Sequence, residues 1–200
     1  MTDDIRPSSI LAFHDTALQT KRGAEVIPPR HDDGVWKYIE LNHRFNSMLW
    51  DEEDLARRRN VPDAEIAANK RAIDTYNQKR NDAVERLDET LLTQLGTVTR
   101  TPDARLSSET AGAMCDRLSI LALKIFAMRL QTQRGDADDA HRAACGEMLA
   151  KLIEQRLDLA QCLERLLRET QSGSAYFKVY RQFKMYNDPK LNPQLYLPKP

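Results

Sequence analysis

Long stretches of this chain place apolar residues three and four positions apart, which is the spacing of one face of an α-helix. Helix breakers bound these stretches, among them Gly23, the turn at 60–62, Gly135 and Gly173. No segment alternates apolar and polar residues as a half-buried strand would. Because long helices joined by short loops favour antiparallel neighbours, we predict an all-α antiparallel bundle of four to five long helices with a short C-terminal docking helix.

Capping residues and breakers set the predicted boundaries. The helices are predicted at residues 8–22, 35–59, 62–95, 107–134, 136–170 and 175–186. Ser107 or Ser108 would cap the fourth helix, and Asp136 the fifth. We predict a single domain over residues 1–200, with a short helix and loop in 1–34 and an extended tail in 187–200.

The fourth predicted helix is apolar on nearly all sides over residues 118–128, interrupted by Lys124. This pattern is typical of a helix that neighbours surround, so we expect it at the centre of the bundle. Lys124 would then need a carboxylate partner or a path by which its ammonium group reaches solvent.

Composition argues against several classes of protein. Lys plus Arg and Asp plus Glu are equal at 30 each, whereas nucleic-acid binders usually carry a basic excess, so nucleic acid is not expected as a partner. The longest apolar run is too short to span a bilayer, and the first residues are acidic, so we expect a cytoplasmic protein without a membrane span. The three cysteines form no CxxC or Cys/His cluster and are expected to be small buried side chains.

Polar residues interrupt the apolar stripes of the second and third predicted helices. If these helices fold back on each other at 60–62, residues equally far from the turn meet, and the two polar segments become one cluster. Asp116 and Lys124 of the fourth helix could join it from a third side. Buried polar groups are costly unless they are paired, so the cluster is either a structural network or a ligand site.

As a ligand site, the cluster would suit an anionic or polyhydroxylated ligand. Its cations would hold negative charge, its asparagines would bind hydroxyls or carbonyls, and Trp50 would form an apolar wall. Glu53 and Asp54 would orient the cations or act as a general base. The candidate ligand-binding residues are Asn46, Trp50, Glu53, Asp54, Arg57, Lys70, Asp74, Asn77, Arg80, Asn81, Asp116 and Lys124.

Other patterns have more than one interpretation. Glu40-x-x-His43 has the ligand spacing of carboxylate di-metal bundles, although the two further inward carboxylates of such sites are not evident. Residues 175–186 mix aromatic and basic side chains, which suits a docking helix, the preferred interpretation, or stacking on single-stranded nucleic acid. His14 and His31 are expected on the surface or in loops.

Four sequence blocks resemble an uncharacterised bacterial all-helical family that is known only as a domain of unknown function. They are NxxLWxxEDxAR from Asn46, KRxIDxxNQxRND from Lys70, DRLSILxLK from Asp116 and FKMYNDPxxNP from Phe183. A second uncharacterised family shares parts of the first three blocks. The resemblance implies a loose association with surface-polysaccharide and glycosyltransferase pathways, and it implies no particular reaction.

We therefore expect a binding or accessory protein that holds an anionic or sugar-type ligand, or a protein partner. No cofactor is expected, because the sequence contains no phosphate-binding glycine loop and no Walker or Rossmann motif. Two alternatives stay open. One is a cofactor-free enzyme that acts on an anionic or sugar substrate, and the other is a carboxylate di-metal bundle.

Overall fold

The computed structural model describes residues 5–20, 30–182, 185 and 188–196. Helices dominate this part of the chain, which confirms the all-α fold class. In chain order its elements are α1 (Pro7–Thr20), α2 (Gly34–Leu55), α3 (Asp63–Leu95), β1 (Arg105–Leu106), α4 (Ala111–Thr132), α5 (Asp139–Ser172), β2 (Ala175–Tyr176) and α6 (Pro193–Tyr196). The predicted end of the first helix at Gly23 lies outside the described residues.

Helix α4 is the central helix, as its apolar sequence predicts. It contacts α1, α2, α3 and α5, and Leu118 on it is completely buried. Lys124 reaches solvent from this helix, because its side chain is exposed. The main core cluster draws residues from each long helix and from β2: Ile10, Val35, Ile39, Leu87, Leu91, Ala111, Met114, Cys115, Leu118, Leu159, Ala160, Leu163, Leu166, Ala175 and Phe177.

Helices α2 and α3 form a hairpin that folds back at residues 56–62. Close to the turn, the Asn69 side-chain amide donates a 2.7 Å hydrogen bond to Glu52. Far from the turn, Asn42 and Arg80 both approach Asp116 of α4. Glu52 and Asn69 lie at nearly equal distances from the turn, so their contact agrees with the predicted pairing of these two helices.

The starts of α4 and α5 differ from the predicted caps. Thr110 caps α4 by accepting a 3.1 Å hydrogen bond from the Ala113 amide, and Asp138 caps α5 by accepting one of 2.7 Å from the His141 amide. The predicted cap at Ser107 or Ser108 is wrong because α4 begins later, at Ala111, and the Ser107 amide instead donates to Tyr176. The predicted cap at Asp136 is wrong because its carboxylate pairs with Arg134.

The C-terminal segment docks on the bundle without a helix over residues 175–182, so the docking helix predicted over 175–186 is wrong for these residues. Strand β2 pairs in parallel with β1, and Phe177 after it lies in the core with 2% of its surface exposed. The carbonyl groups of Ser174 and Tyr176, which a helix would satisfy internally, accept hydrogen bonds here from the amides of Arg105 and Ser107. The predicted extended tail also contains the short helix α6.

Gly173 makes this turn into β2 possible. It ends α5 in the left-handed region at φ 75°, and a Cβ atom there would lie 2.2 Å from the Thr99 carbonyl oxygen. Residues with a Cβ rarely adopt this conformation, and here the neighbouring backbone leaves no space for one.

Gly173→Ala should destabilise the protein by about 3 kcal/mol or more, because left-handed strain adds to a clash with backbone. Gly146→Ala is the matched control, because Gly146 lies inside α5 and a methyl group added there would meet nothing within 4 Å. That change should raise stability by up to about 1 kcal/mol. Urea unfolding of the two variants measures both effects, and equal stability of Gly173→Ala and the parent would contradict the proposed role of Gly173.

Candidate functional site

A group of polar side chains meets where α2, α3 and α4 come together. We call Asn42, Asn46, Arg80, Asn81, Asp116 and Ser119 the Asp116 cluster. The side-chain amides of Asn42 and Asn46 donate to Oδ1 of Asp116 at 2.8 and 2.9 Å. Asn46 also donates to Oγ of Ser119 at 3.1 Å. Two neighbouring turns of α2 are thereby tied to one turn of α4.

Helix α3 completes the cluster on its outer side. Nε of Arg80 lies 4.0 Å from Oδ1 of Asp116, and Nη2 of Arg80 donates to Oδ1 of Asn81 at 3.1 Å. The Asn81 amide in turn donates a 2.8 Å hydrogen bond to Gln182 of the C-terminal segment. The side chains of Arg80 and Asp116 keep 25% and 17% of their surface exposed. The cluster is therefore buried on its α2 side and partly open on its α3 side.

Two stacked histidines extend the cluster towards α1. Nδ1 of His43 lies 2.8 Å from Oγ of Ser119, and the His43 ring stacks on His14 with centroids 4.5 Å apart. His14 is completely buried, so its predicted place on the surface is wrong. Burial, and next the charges of His43 and Arg156, hold the pKa of His14 well below its ordinary value of 6.5. His14 is therefore neutral near pH 7.

The predicted site residues fall into three groups. Asn46, Arg80, Asn81 and Asp116 come together in the Asp116 cluster. Asn77 is partly buried one turn before Arg80 on α3. Trp50 and Lys124 line a separate groove between α2, α4 and α5.

The third group lies on the surface of the hairpin near its turn. Glu53 pairs with Arg57 and Lys70 pairs with Asp74, each at 2.7 Å along its own helix. These four side chains are 45–67% exposed, and Asp54 is exposed as well. Such exposed pairs stabilise a helix by only about 0.2–0.5 kcal/mol each, so here the charges form a solvated surface.

The spacing Glu40-x-x-His43 does not bring these two side chains to one point. The Glu40 carboxylate accepts hydrogen bonds from the backbone amides of Arg30 and His31, and the His31 ring lies 2.7 Å from it. His43 instead meets Ser119. Over the described ranges, no group of three or more His, Cys, Asp or Glu side chains is arranged to hold a metal ion.

The remaining sequence predictions have mixed outcomes. Cys115 and Cys145 are buried free thiols, as expected, whereas Cys162 is exposed. Burial raises the pKa of the Cys115 thiol. His31 is exposed, as predicted. Within the part of the chain that the structure describes, no helix is long and apolar enough to cross a membrane.

The sequence prediction missed Asn42 and Ser119 of the Asp116 cluster and the buried His14 beside it. His14 stands midway between Ile10 and Leu18, four residues from each, so its place on the apolar stripe of α1 was a usable signal. Asn42 lies one turn before Asn46 on the same helical face. Ser119 lies one turn after Asp116, inside an apolar run that marks buried positions.

The comparisons with known proteins give a family and no activity. A family model described as "Protein of unknown function (DUF4254)" matches residues 36–179, which include every member of the Asp116 cluster. No curated protein matches the chain. No solved structure matches it either.

Acidification should destabilise the protein in part through His14. Below about pH 6.5 the unfolded chain binds a proton at His14 that the folded state excludes, so stability falls by up to about 1.4 kcal/mol for each further pH unit. His14→Leu removes this pH-dependent contribution to the free energy of unfolding. Unfolding free energies measured between pH 7.5 and about pH 5 should therefore decline less steeply in His14→Leu than in the parent, and equal slopes would contradict the prediction.

Substitutions of Asn46 and Arg80 should lower the free energy of unfolding by different amounts. Asn46→Ala removes a partly buried hydrogen bond to Asp116, a buried one to Ser119 and a longer one to Asn42. It leaves Asp116 and Ser119 short of a donor, which should cost about 1–3 kcal/mol. Arg80→Gln removes a partly exposed pair at 4.0 Å and one hydrogen bond to Asn81, and it should cost about 1 kcal/mol or less. Chemical denaturation measures both, and a larger loss for Arg80→Gln would show that the outer side is structural.

Proposed function

We propose a binding function for this chain, which belongs to the DUF4254 family of proteins of unknown function, because the family model matches more than half of its length. In this proposal the Asp116 cluster binds a small polar ligand of the sugar type on its partly open side. The observation that carries the proposal is the pairing of Asp116 and Arg80, two oppositely charged side chains that stay partly exposed above a buried polar network.

The hydrogen-bonding capacity of Arg80 and Asp116 is not fully used within the protein. At 4.0 Å, Nε of Arg80 is beyond ordinary hydrogen-bond distance from Oδ1 of Asp116. This Nε is buried, and no described residue accepts a hydrogen bond from it. Because both amides of α2 donate to Oδ1 of Asp116, the second carboxylate oxygen is left for other donors. A ligand with adjacent donor and acceptor groups would bind the parts of both side chains that stay exposed.

The charges of the cluster favour a neutral ligand over a strongly anionic one. Arg80 and Asp116 are its ionisable members, and their opposite charges balance. The other cations proposed to bind an anion lie elsewhere, since Arg57 and Lys70 pair with carboxylates on the hairpin surface. A carboxylate, a guanidinium and asparagine amides are together suited to bind sugar hydroxyls. We therefore propose a sugar-type ligand, in keeping with the resemblance to families associated with surface-polysaccharide pathways.

Binding without catalysis is the better supported form of this proposal. If the protein were an enzyme, the sequence predicts Glu53 or Asp54 as its general base. Both residues lie on the hairpin near its turn. The Glu53 carboxylate forms an ion pair with Arg57 at 2.7 Å. A general base must come within hydrogen-bond reach of its substrate, and neither carboxylate belongs to the cluster that would hold the substrate.

A thermal-shift screen of neutral saccharides, sugar nucleotides and dicarboxylates tests the proposal. A ligand that binds only the folded state raises stability by about 2.7 kcal/mol at one hundred times its Kd. For a chain of this size that corresponds to a rise in Tm of about 5 °C or more. We expect the rise with a neutral saccharide, and we expect Arg80→Gln to abolish it.

Arg57→Gln is the matched control for Arg80→Gln, because it removes the same charge from the hairpin surface. It should keep the full thermal shift. Loss of the shift in both variants, or its persistence in Arg80→Gln, would argue against a site at the Asp116 cluster. A shift with dicarboxylates alone would overturn the sugar-type assignment, and no shift with any class would overturn the binding function.

A further inference from the structure

An apolar groove lies between α2, α4 and α5, away from the Asp116 cluster. Its volume is about 460 Å³, within the range of small-molecule sites. Trp50, Met128, Met148 and Leu152 provide its apolar surface. Met148 is 47% exposed, so a large apolar side chain faces solvent at this groove.

Two lysines flank this apolar surface. Lys124 of α4 and Lys151 of α5 both line the groove, and both are exposed. Across the described residues, no carboxylate forms an ion pair with either of them. Glu147 and Glu154 lie within one turn of Lys151 on α5 and could partly offset its charge, although neither lines the groove. The groove therefore combines an apolar surface with two positive charges.

The size of the groove favours a small occupant. Its lining on α4 runs from Lys124 to Gln131, about 10 Å along the helix axis, and its lining on α5 is shorter. A helix docked from a partner protein needs apolar anchors over two turns or more, which the short α5 wall does not offer. A single alkyl chain fits a groove of this length. The methionines suit it as well, because their unbranched side chains adapt to irregular apolar shapes.

We propose that this groove binds a single-chain amphiphile, with its apolar chain against Trp50, Met128 and Leu152 and its anionic head at Lys124 and Lys151. The head would be a carboxylate or a phosphate, since an ammonium group binds both as a point charge. The site is separate from the Asp116 cluster. Lys124 lies eight residues beyond Asp116 on α4, about 12 Å along the axis. The proposal therefore does not depend on the proposed sugar-type ligand.

Trp50 fluorescence provides a direct measurement. The chain has two tryptophans, and Trp36 lies elsewhere, against Phe13 and His31. In a Trp36→Phe background, decanoate and decyl phosphate, each below its micelle-forming concentration, should shift the Trp50 emission saturably. Neutral decanol should bind more weakly, and inorganic phosphate alone should give no shift. Added salt should weaken binding of the anionic probes more than that of decanol.

Variants separate the two halves of the site. Lys124→Gln with Lys151→Gln should weaken decyl phosphate about fivefold or more and leave decanol unchanged, as expected for two solvent-exposed ion pairs. Lys178→Gln, an exposed lysine outside the groove, is the control for the loss of charge. Met148→Asp should abolish binding of both anionic probes. Its control is Leu157→Asp, because Leu157 is also exposed on α5 but does not line the groove.

Several results would overturn the proposal. Equal affinity for decanol and decyl phosphate would remove the role of the lysines, and binding of inorganic phosphate alone would remove the role of the apolar surface. A shift caused by anionic lipid vesicles but not by monomeric probes would assign the groove to a membrane surface. A Trp50 spectrum that changes with protein concentration without a ligand would assign it to contact with a second copy of the chain.

Discussion

The Asp116 carboxylate needs hydrogen bonds and an opposite charge inside the bundle, and this need fixes how α2, α3 and α4 pack together. Asp116 lies on α4, which four other helices contact, so its carboxylate cannot rely on water alone. Two asparagines from α2 supply hydrogen bonds, and Arg80 from α3 supplies an opposite charge. Three helices are thereby held in one register. Apolar packing alone fixes register less strictly, because one apolar side chain substitutes for another at small cost.

The same polar stripe has two different consequences along the α2–α3 hairpin. Where α4 covers it, the polar residues of α2 are buried and must bond to each other, as Asn46 does with Asp116 and Ser119. Beyond Trp50 towards the turn, the stripe meets solvent, and its charges form ordinary pairs such as Glu53 with Arg57. Burial therefore decides which part of a continuous sequence pattern can act as a site. Away from water, a hydrogen bond is stronger and an unpaired polar group costs more free energy.

Much of the candidate site could be predicted from the sequence, and the rest depended on contacts between helices. Helical spacing predicted that Asn46, Arg80 and Asp116 would lie in one cluster, and these side chains do come together, because turn position and periodicity fix which residues of a hairpin meet. Their role in binding stays a prediction. The same reasoning placed Lys124 in that cluster, whereas it lines the groove with Trp50. The sequence gives the position of Lys124 along α4, but it does not show which side of α4 faces α5. The strand pairing of 105–106 with 175–176 was equally hidden, because two-residue strands leave no periodic pattern.

The sequence by itself determined the five helices α1 to α5, the central place of α4 and the meeting of α2 with α3, because these follow from local periodicity, helix breakers and hydrophobicity. Tertiary structure alone decided that His14 is buried and neutral and that residues 175–182 run without a helix. It also decided that the predicted site residues divide among a polar cluster, an apolar groove and the solvated surface of the hairpin. The physical reason is that these outcomes depend on which helix covers which face. That is a property of the assembled bundle, and no single segment encodes it.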